Sequence, residues 1–295
     1  MVVTLPSATI DRYRRFSRFN SPYSAHDDGC AIDLYPDGET GRSPVAGVVR
    51  ETRTVGCPDR PYAADEDHLI VVALDDDWCR RAGAATGTLA RILHVVPAVS
   101  PGDRVAVGDA LGPLTRSGFF GQWVDDHVHL GFRAPDANAL RASGSLPVDV
   151  DVPVEPVRWN GTGTVVERGP THVVLRGPAH PAPDRRFAAL ASDEGVPLDG
   201  GLAHYAGGGA FDALPVGTPV SLWGTRVGVA RGREIAWEAV DLFANGERVT
   251  GLSLFAGSGG EFGLKLVCPD SRFELGATVS LALAPSDDPI RLGVG

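Results

Sequence analysis

The stretch DHVHLGFR (126–133) decides how this chain is read. It is short, rich in aliphatic residues and bounded by turn-forming ones, the pattern of a β-strand. Residues two apart on a strand point to the same face, so His127 and His129 present their imidazoles side by side. A neutral imidazole is the commonest protein ligand for zinc. Two half-exposed strand histidines without a shared partner would give the same spacing.

Outward from this strand the same grammar recurs. SPVAGVVRET (43–52), DHLIVVALD (67–75), GTLARILHVV (87–96) and DRVAVGDALG (103–112) each read as strands between turns. The 37 glycines and 23 prolines are spread along the chain rather than gathered in one tract. Helical periodicity is scarce, with segments 11–19 and 135–143 each suited to a short helix. The prediction is a mostly-β protein. SLPVDVDVPVEP (145–156) alternates Val with Asp and Pro and reads as an extended connector. It separates a first β domain, residues 1–150, from a second, residues 157–295. The second block, from GTGTVVERGPTHVVLRG (161–177) through EFGLKLVC (261–268) to ATVSLAL (277–283), predicts a β sandwich or barrel. Trp223 and Trp237 are expected in its core.

Composition narrows the function classes. With 295 residues the chain suits two domains or one large all-β unit. Apolar residues at 43% and charged residues at 22% exclude wholesale disorder. The longest apolar runs, such as LIVVAL (69–74), are too short to cross a bilayer, so no membrane span is expected. The opening MVVTLPSATIDRYRRF has no apolar h-region with a cleavage site, which makes a cytoplasmic location the expectation. A formal net charge of −10 argues against a nucleic-acid surface. Lys265 is the only lysine among 27 basic residues. An acidic chain nearly free of lysine resembles proteins of salt-loving microbes, in which screening removes self-repulsion. Cys30, Cys57, Cys79 and Cys268 form neither a CxxC nor a zinc-ribbon spacing and are expected as free thiols.

Two further segments carry chemistry. In SAHDDGCAIDLYPDG (24–38), His26 and Asp33 flank a glycine-containing loop, and Asp33 sits inside the apolar strand start AIDLY. A carboxylate set into such a strand needs a partner, and a metal is one. A salt bridge or a turn contact is another. Asp27 and Asp28 read as solvated turn residues. In ILHVVPAVSPGDRVAVGDALG (92–112), His94 ends an apolar strand, followed by a hairpin-like turn–strand–turn pattern. His68, His172, His180 and His204 carry no site signal. Phe119, Phe120 and Trp123 suit either core or the walls of a groove.

Together, HDDGCAIDLYP, LHVVPAVSPGDRVAVGDALG and VDDHVHLGF, in this order, resemble the lysostaphin/LytM family of zinc endopeptidases over about residues 20–135. The resemblance implies a LytM-like β domain of the duplicated hybrid motif type. It implies zinc held by His26, Asp33 and His129, with His94 and His127 as the catalytic non-ligand pair. It also implies hydrolysis of a peptide bond in a peptide or cell-envelope polymer. Six residues separate His26 from Asp33, where the family usually has three. That spacing leaves open a longer loop, a lost first ligand, or Cys30 as a thiolate ligand. A catalytically inactive LytM-like binding or regulatory module with an incomplete site is therefore the alternative. VSPGDRVAVGDALG also resembles the hairpins of biotinyl and lipoyl carrier domains, but the lone lysine lies in the other domain. Oligomeric state leaves no trace in the sequence.

Overall fold

The computed structural model describes residues 1–260, 262–269 and 273–293. Glu261, which opens the EFGLKLVC run, and positions 294–295 of the second domain lie outside the described residues. Contacts divide the chain into two units. One comprises Met1–Phe16 and Ser24–Val152; the other comprises Ser17–Tyr23 and the chain from Pro153 onward. Both are mostly β with few helical residues.

In the first unit six strands form an antiparallel array. They are β1 (Ala31–Tyr35), β2 (Gly47–Gly56), β3 (Glu66–Leu74), β4 (Leu89–Leu93), β5 (Arg104–Val105) and β6 (Val128–Arg133), in the order β1-β6-β4-β3-β2-β5. Aliphatic runs explain the central position of β3, whose Leu69, Ile70, Val71 and Val72 are all buried. Against β6 the Phe132 ring stacks on Trp78 with centroids 5.6 Å apart. The register matters most for function. His129 on β6 lies opposite Asp33 on β1 and opposite Leu93 on β4. The sheet thus brings His129 to Asp33 and leaves His94 one residue past the end of β4.

Several local expectations are corrected. DRVAVGDALG does not close a hairpin on itself: Arg104–Val105 pairs with β2, and Ala110–Pro113 pairs with Thr40–Arg42. The reason lies in two side-chain turns, where the carboxylates of Asp103 and Asp109 accept the backbone N–H groups of Ser100 and Ala106 and reverse the chain twice. Segment 11–19 is not a helix. The helix is Ser7–Ile10, and Arg15–Ser17 is a strand, with the Arg14 N–H bonded to the Tyr35 carbonyl. Segment 135–143 is turns. Asn138 Oδ1 captures the Leu140 N–H that a helix would give to the carbonyl four residues back, while buried Arg133 ties down the carbonyls of Arg141 and Ala142 at the segment's end. The helix Asp76–Arg81 was not read from the sequence. Asp76 and Asp77 in its first turn and Arg80 and Arg81 in its last suit the helix dipole, and Asp77 pairs with both arginines. The connector 145–156 is not bare: Val148–Val150 pairs in parallel with Val3–Leu5.

In the second unit, among the described residues, eleven strands form one sheet. Their order is Pro219–Leu222, Thr225–Trp237, Gly207–Leu214, Leu198–Leu202, Gly251–Leu254, Leu264–Val267, His172–Arg176, Thr162–Arg168, Thr278–Pro285, Val240–Ala244 and Glu247–Val249. Leu252, Leu254, Leu264 and Leu266 share one apolar cluster with Val220 and Leu222 from one end of the order and Val240 and Leu242 from the other. A sheet whose two ends feed one core has curled over on itself. Trp237 lies in that core, whereas Trp223 occupies a turn at φ 51° and packs half-buried against it, its Nε1–H donating to the Trp159 carbonyl at 2.9 Å. Between the same strands Ser253 lies opposite Lys265, and both are buried. The Asn20 amide donates to Ser253 Oγ at 2.7 Å. Among the described residues no helix is long and apolar enough to cross a membrane.

Candidate metal centre

Asp33 is the hub of the first unit. It sits mid-strand with Ile32 and Leu34 fully buried on either side, and its own side chain is buried. Three imidazoles meet one of its oxygens. His129 Nδ1 lies 2.9 Å from Oδ1, His127 Nε2 lies 3.5 Å from it, and His26 Nε2 also lies 3.5 Å from it. β6 supplies His129 directly across the ladder, and His127 just ahead of the same strand.

His26 reaches this point through a fold-back. Ser24–Gly29 forms a 3₁₀ turn broken at Asp27 and Asp28, and Asp28 and Gly29 both take positive φ, 55° and 64°. Asp and Gly are residue types that enter the left-handed region at low cost. The Cys30 N–H closes the reversal on the Asp27 carbonyl at 3.1 Å. The six-residue spacer is therefore absorbed by a turn that returns His26 to Asp33. Asp27 and Asp28 stay exposed, as solvated turn residues should.

Ligand atoms of His26, Asp33 and His129 all lie within 4.8 Å of one another. Cys30 is not in that set, and none of the four cysteines forms a disulfide. In a tetrahedral site with bonds of about 2.0–2.1 Å, neighbouring ligand atoms stand ~3.4 Å apart. The observed 3.5 and 2.9 Å bracket that value. Two imidazoles and a carboxylate are also a donor set suited to a borderline-soft divalent ion. The residues present fit a metal.

The electrostatics point the same way. Burial pushes the Asp33 carboxyl up, but the imidazoles of His26, His127 and His129 outweigh it and hold it well below the usual carboxylate range. Burial presses the His129 imidazole down to about 4, with His26 and His94 adding to the effect against the opposing pull of Asp33. An anionic carboxylate beside a neutral imidazole is the protonation state metal binding requires.

His94 and His127 stand beside this group, with ring centroids 5.0 Å apart; His94 is 5.6 Å from the His129 ring. The His127 Nδ1 lies 2.8 Å from the Asp125 carbonyl, and the His94 Nδ1 lies 2.7 Å from Asp67 Oδ2. Both of those oxygens only accept, so each Nδ1 carries a hydrogen; a neutral His94 then keeps its lone pair on Nε2, whereas the His127 Nε2 faces Asp33 Oδ1 at 3.5 Å. Asp67 was missed in the sequence. It is fully buried at the head of β3, and the parity that puts it on the same face as buried Leu69 and Val71 was the available signal.

Aromatic rings wall the group. Phe120 lies 4.6 Å from the His127 ring and 5.1 Å from the His94 ring, and Tyr35 lies 5.1 Å from His127. Phe120, Tyr35 and Val124 form a small buried cluster with Trp123 packed on it. Arg116 shapes this loop by donating to the carbonyls of Gly121, Gln122 and Val124 and pairing with Asp126, its guanidinium lying 4.8 Å over Phe120. Gly118 is required here, because a Cβ would run into the Pro58 carbonyl oxygen. The remaining histidines join no such group among the described residues. His180 bonds the Gly257 carbonyl, while burial and Arg291 press the His204 imidazole down to about 3.

Similarity to known proteins is distant in structure and broad in family. No curated protein matches the chain. Among solved structures, the SpoIIQ–SpoIIIAH pore-forming complex is 17% identical over 41% of this chain at a TM-score of 0.22, and the match spans 65% of that chain, just under two thirds of its length. The antimicrobial peptidase lysostaphin from Staphylococcus simulans is 12% identical over 93% of this chain and 96% of that one, with a TM-score of 0.30. A solution structure of lysostaphin gives 12%, the same coverage and 0.28. Residues 4–150 match the family described as domain of unknown function (DUF8155) N-terminal domain. Residues 155–284 match its companion, domain of unknown function (DUF8155) C-terminal domain. Between them the two matches take in nearly the whole length, and the chain belongs to the DUF8155 family.

Proposed function

We propose that the first unit is a zinc-dependent peptide-bond hydrolase of lysostaphin/LytM type, its antiparallel array serving as the LytM-like β domain. The observation that carries this reading is the meeting of His26, Asp33 and His129 at one point with a second pair of histidines beside it. His26, Asp33 and His129 hold the ion. Zinc, when bound, supplies a Lewis acid and brings a water's pKa towards neutrality. The chain's own part is proton handling and positioning. One of His94 and His127 accepts the attacking water's proton at Nε2 and later returns it to the departing amine, and the N–H so formed steadies the developing oxyanion. Phe120 and Tyr35 exclude water around those rings. The substrate class is a peptide or a cell-envelope polymer, and the second unit serves as an accessory β domain.

The alternative is a LytM-like binding or regulatory module without catalysis, although the six-residue spacer that suggested it is bridged by the turn at Asp28 and Gly29. Elemental analysis of the purified protein tests the metal site on which the hydrolase reading depends. About one zinc per chain is expected in the natural protein and in His127→Ala, and none in His129→Ala. A natural protein that takes up no zinc sinks the hydrolase reading.

A further inference from the structure

We propose that Asp67 is the positioning residue that fixes the His94 ring in place as the Nδ1–H tautomer; this rests on the hydrolase reading above. Both rings donate at Nδ1, but to different acceptors. His127 donates to a neutral backbone carbonyl, that of Asp125. His94 donates to a buried carboxylate, that of Asp67, at 2.7 Å. A buried carboxylate holds an Nδ1–H by a charge-assisted bond, stronger than one to a neutral carbonyl. His127 has one carboxylate near it, but that is Asp33, the proposed zinc ligand, 3.5 Å from its Nε2. Asp67 shares nothing with the proposed ion.

The backbone supplies independent support. His94 is a non-glycine residue at φ 67°, in the left-handed region. Strain of that kind persists only where the surroundings over-determine it. Here Asp67 grips His94 twice, with Oδ2 on the ring and Oδ1 accepting the His94 backbone N–H at 3.1 Å. The Thr115 N–H holds the His94 carbonyl at 3.0 Å. Asp67 is itself held by the Ser117 hydroxyl at 2.9 Å and the His68 N–H at 2.7 Å. Four donors converge on one carboxylate, which fixes the ring's position, its tautomer and its partner together.

Imidazole ¹⁵N NMR on the full chain, metal-free and zinc-loaded, tests this. His94 is expected as the Nδ1–H tautomer in the natural protein. In Asp67→Asn the amide N–H₂ can donate to Nδ1, so the dominant tautomer should swap to Nε2–H and remove the acceptor, while zinc content stays at that of the natural protein. Ser117→Ala, which leaves the carboxylate in place, should keep the Nδ1–H form. A natural protein whose His94 is already Nε2–H overturns the proposal without recourse to any variant. So does an Asp67→Asn protein that keeps the original tautomer. Zinc uptake is read separately: its absence from the natural protein removes the hydrolase reading, whereas the metal-free tautomer still decides what Asp67 does to His94.

Discussion

Each unit buries an aspartate completely or nearly so, and the two carboxylates are treated in opposite ways. Asp33 in the first unit is ringed by imidazoles and held well below the usual range. Asp199 in the second meets the Ser17 hydroxyl at 2.6 Å and the backbone N–H groups of Arg18 and Phe19 at 2.6 and 3.2 Å. Burial pushes its carboxyl up to about 6 despite those donors and the nearby Arg18 charge. Neutral donors satisfy a carboxylate without compensating for the loss of water around its charge, whereas rings that accept a proton or share a cation do compensate. The first arrangement collects positive charge and suits an ion; the second ties a segment down.

The comparison can be broken most sharply at Asp33. Apparent zinc-binding free energies on the order of 10 kcal/mol or more rest on about four ligands, so Asp33→Ala should cost about 3–4 kcal/mol, several hundredfold in affinity. Competition with a chromogenic chelator reads this directly. The mirror experiment is pH. Asp199 has its folded pKa above the unfolded value, so its favourable contribution is fully present below about 3.8 and is lost as pH rises through about 6. At 1.36 kcal/mol per unit this is about 3 kcal/mol. Urea unfolding followed through a second-unit tryptophan should show that loss between pH 4 and pH 7, and Asp199→Asn should flatten the slope. Ser17→Ala removes one of three donors to the same carboxylate and should lower stability by about 1 kcal/mol. At the small end, Asp27→Ala alters an exposed carboxylate in the turn beside the candidate metal group. It should change neither zinc stoichiometry nor stability by more than about 0.5 kcal/mol. A large effect there would mean that acidic residues near the turn, and not Asp33 alone, define the site.

What the sequence discloses follows the range of the interaction. The HxH spacing of His127 and His129 and the misfit of Asp33 among Ile32 and Leu34 are local, and both were readable as candidates. His94 was placed at a strand end, where it stands. The return of His26 was not readable, because it depends on Asp28 and Gly29 taking left-handed backbone angles, which composition permits but does not require. Asp67 escaped because its neighbours, Glu66 and His68, are polar, so it does not stand out as Asp33 does, and its partners His94 and Ser117 lie 27 and 50 residues away. The helix Asp76–Arg81 was hidden because the strand reading ended at its first residues. The supposed helix at 135–143 failed because the Asn138 side chain takes the Leu140 N–H, a local competition that apolar periodicity does not register.

Ser17–Tyr23 belongs to the second unit although first-unit chain precedes and follows it. A gene begun at codon 153 would therefore encode a fragment lacking Ser17, Arg18, Phe19 and Asn20, with Asp199 deprived of every donor described here and Ser253 of its amide. Such a fragment should express poorly and be digested quickly by thermolysin. Adding the missing heptapeptide as a separate synthetic strand, in the manner of a split reporter, should slow that digestion.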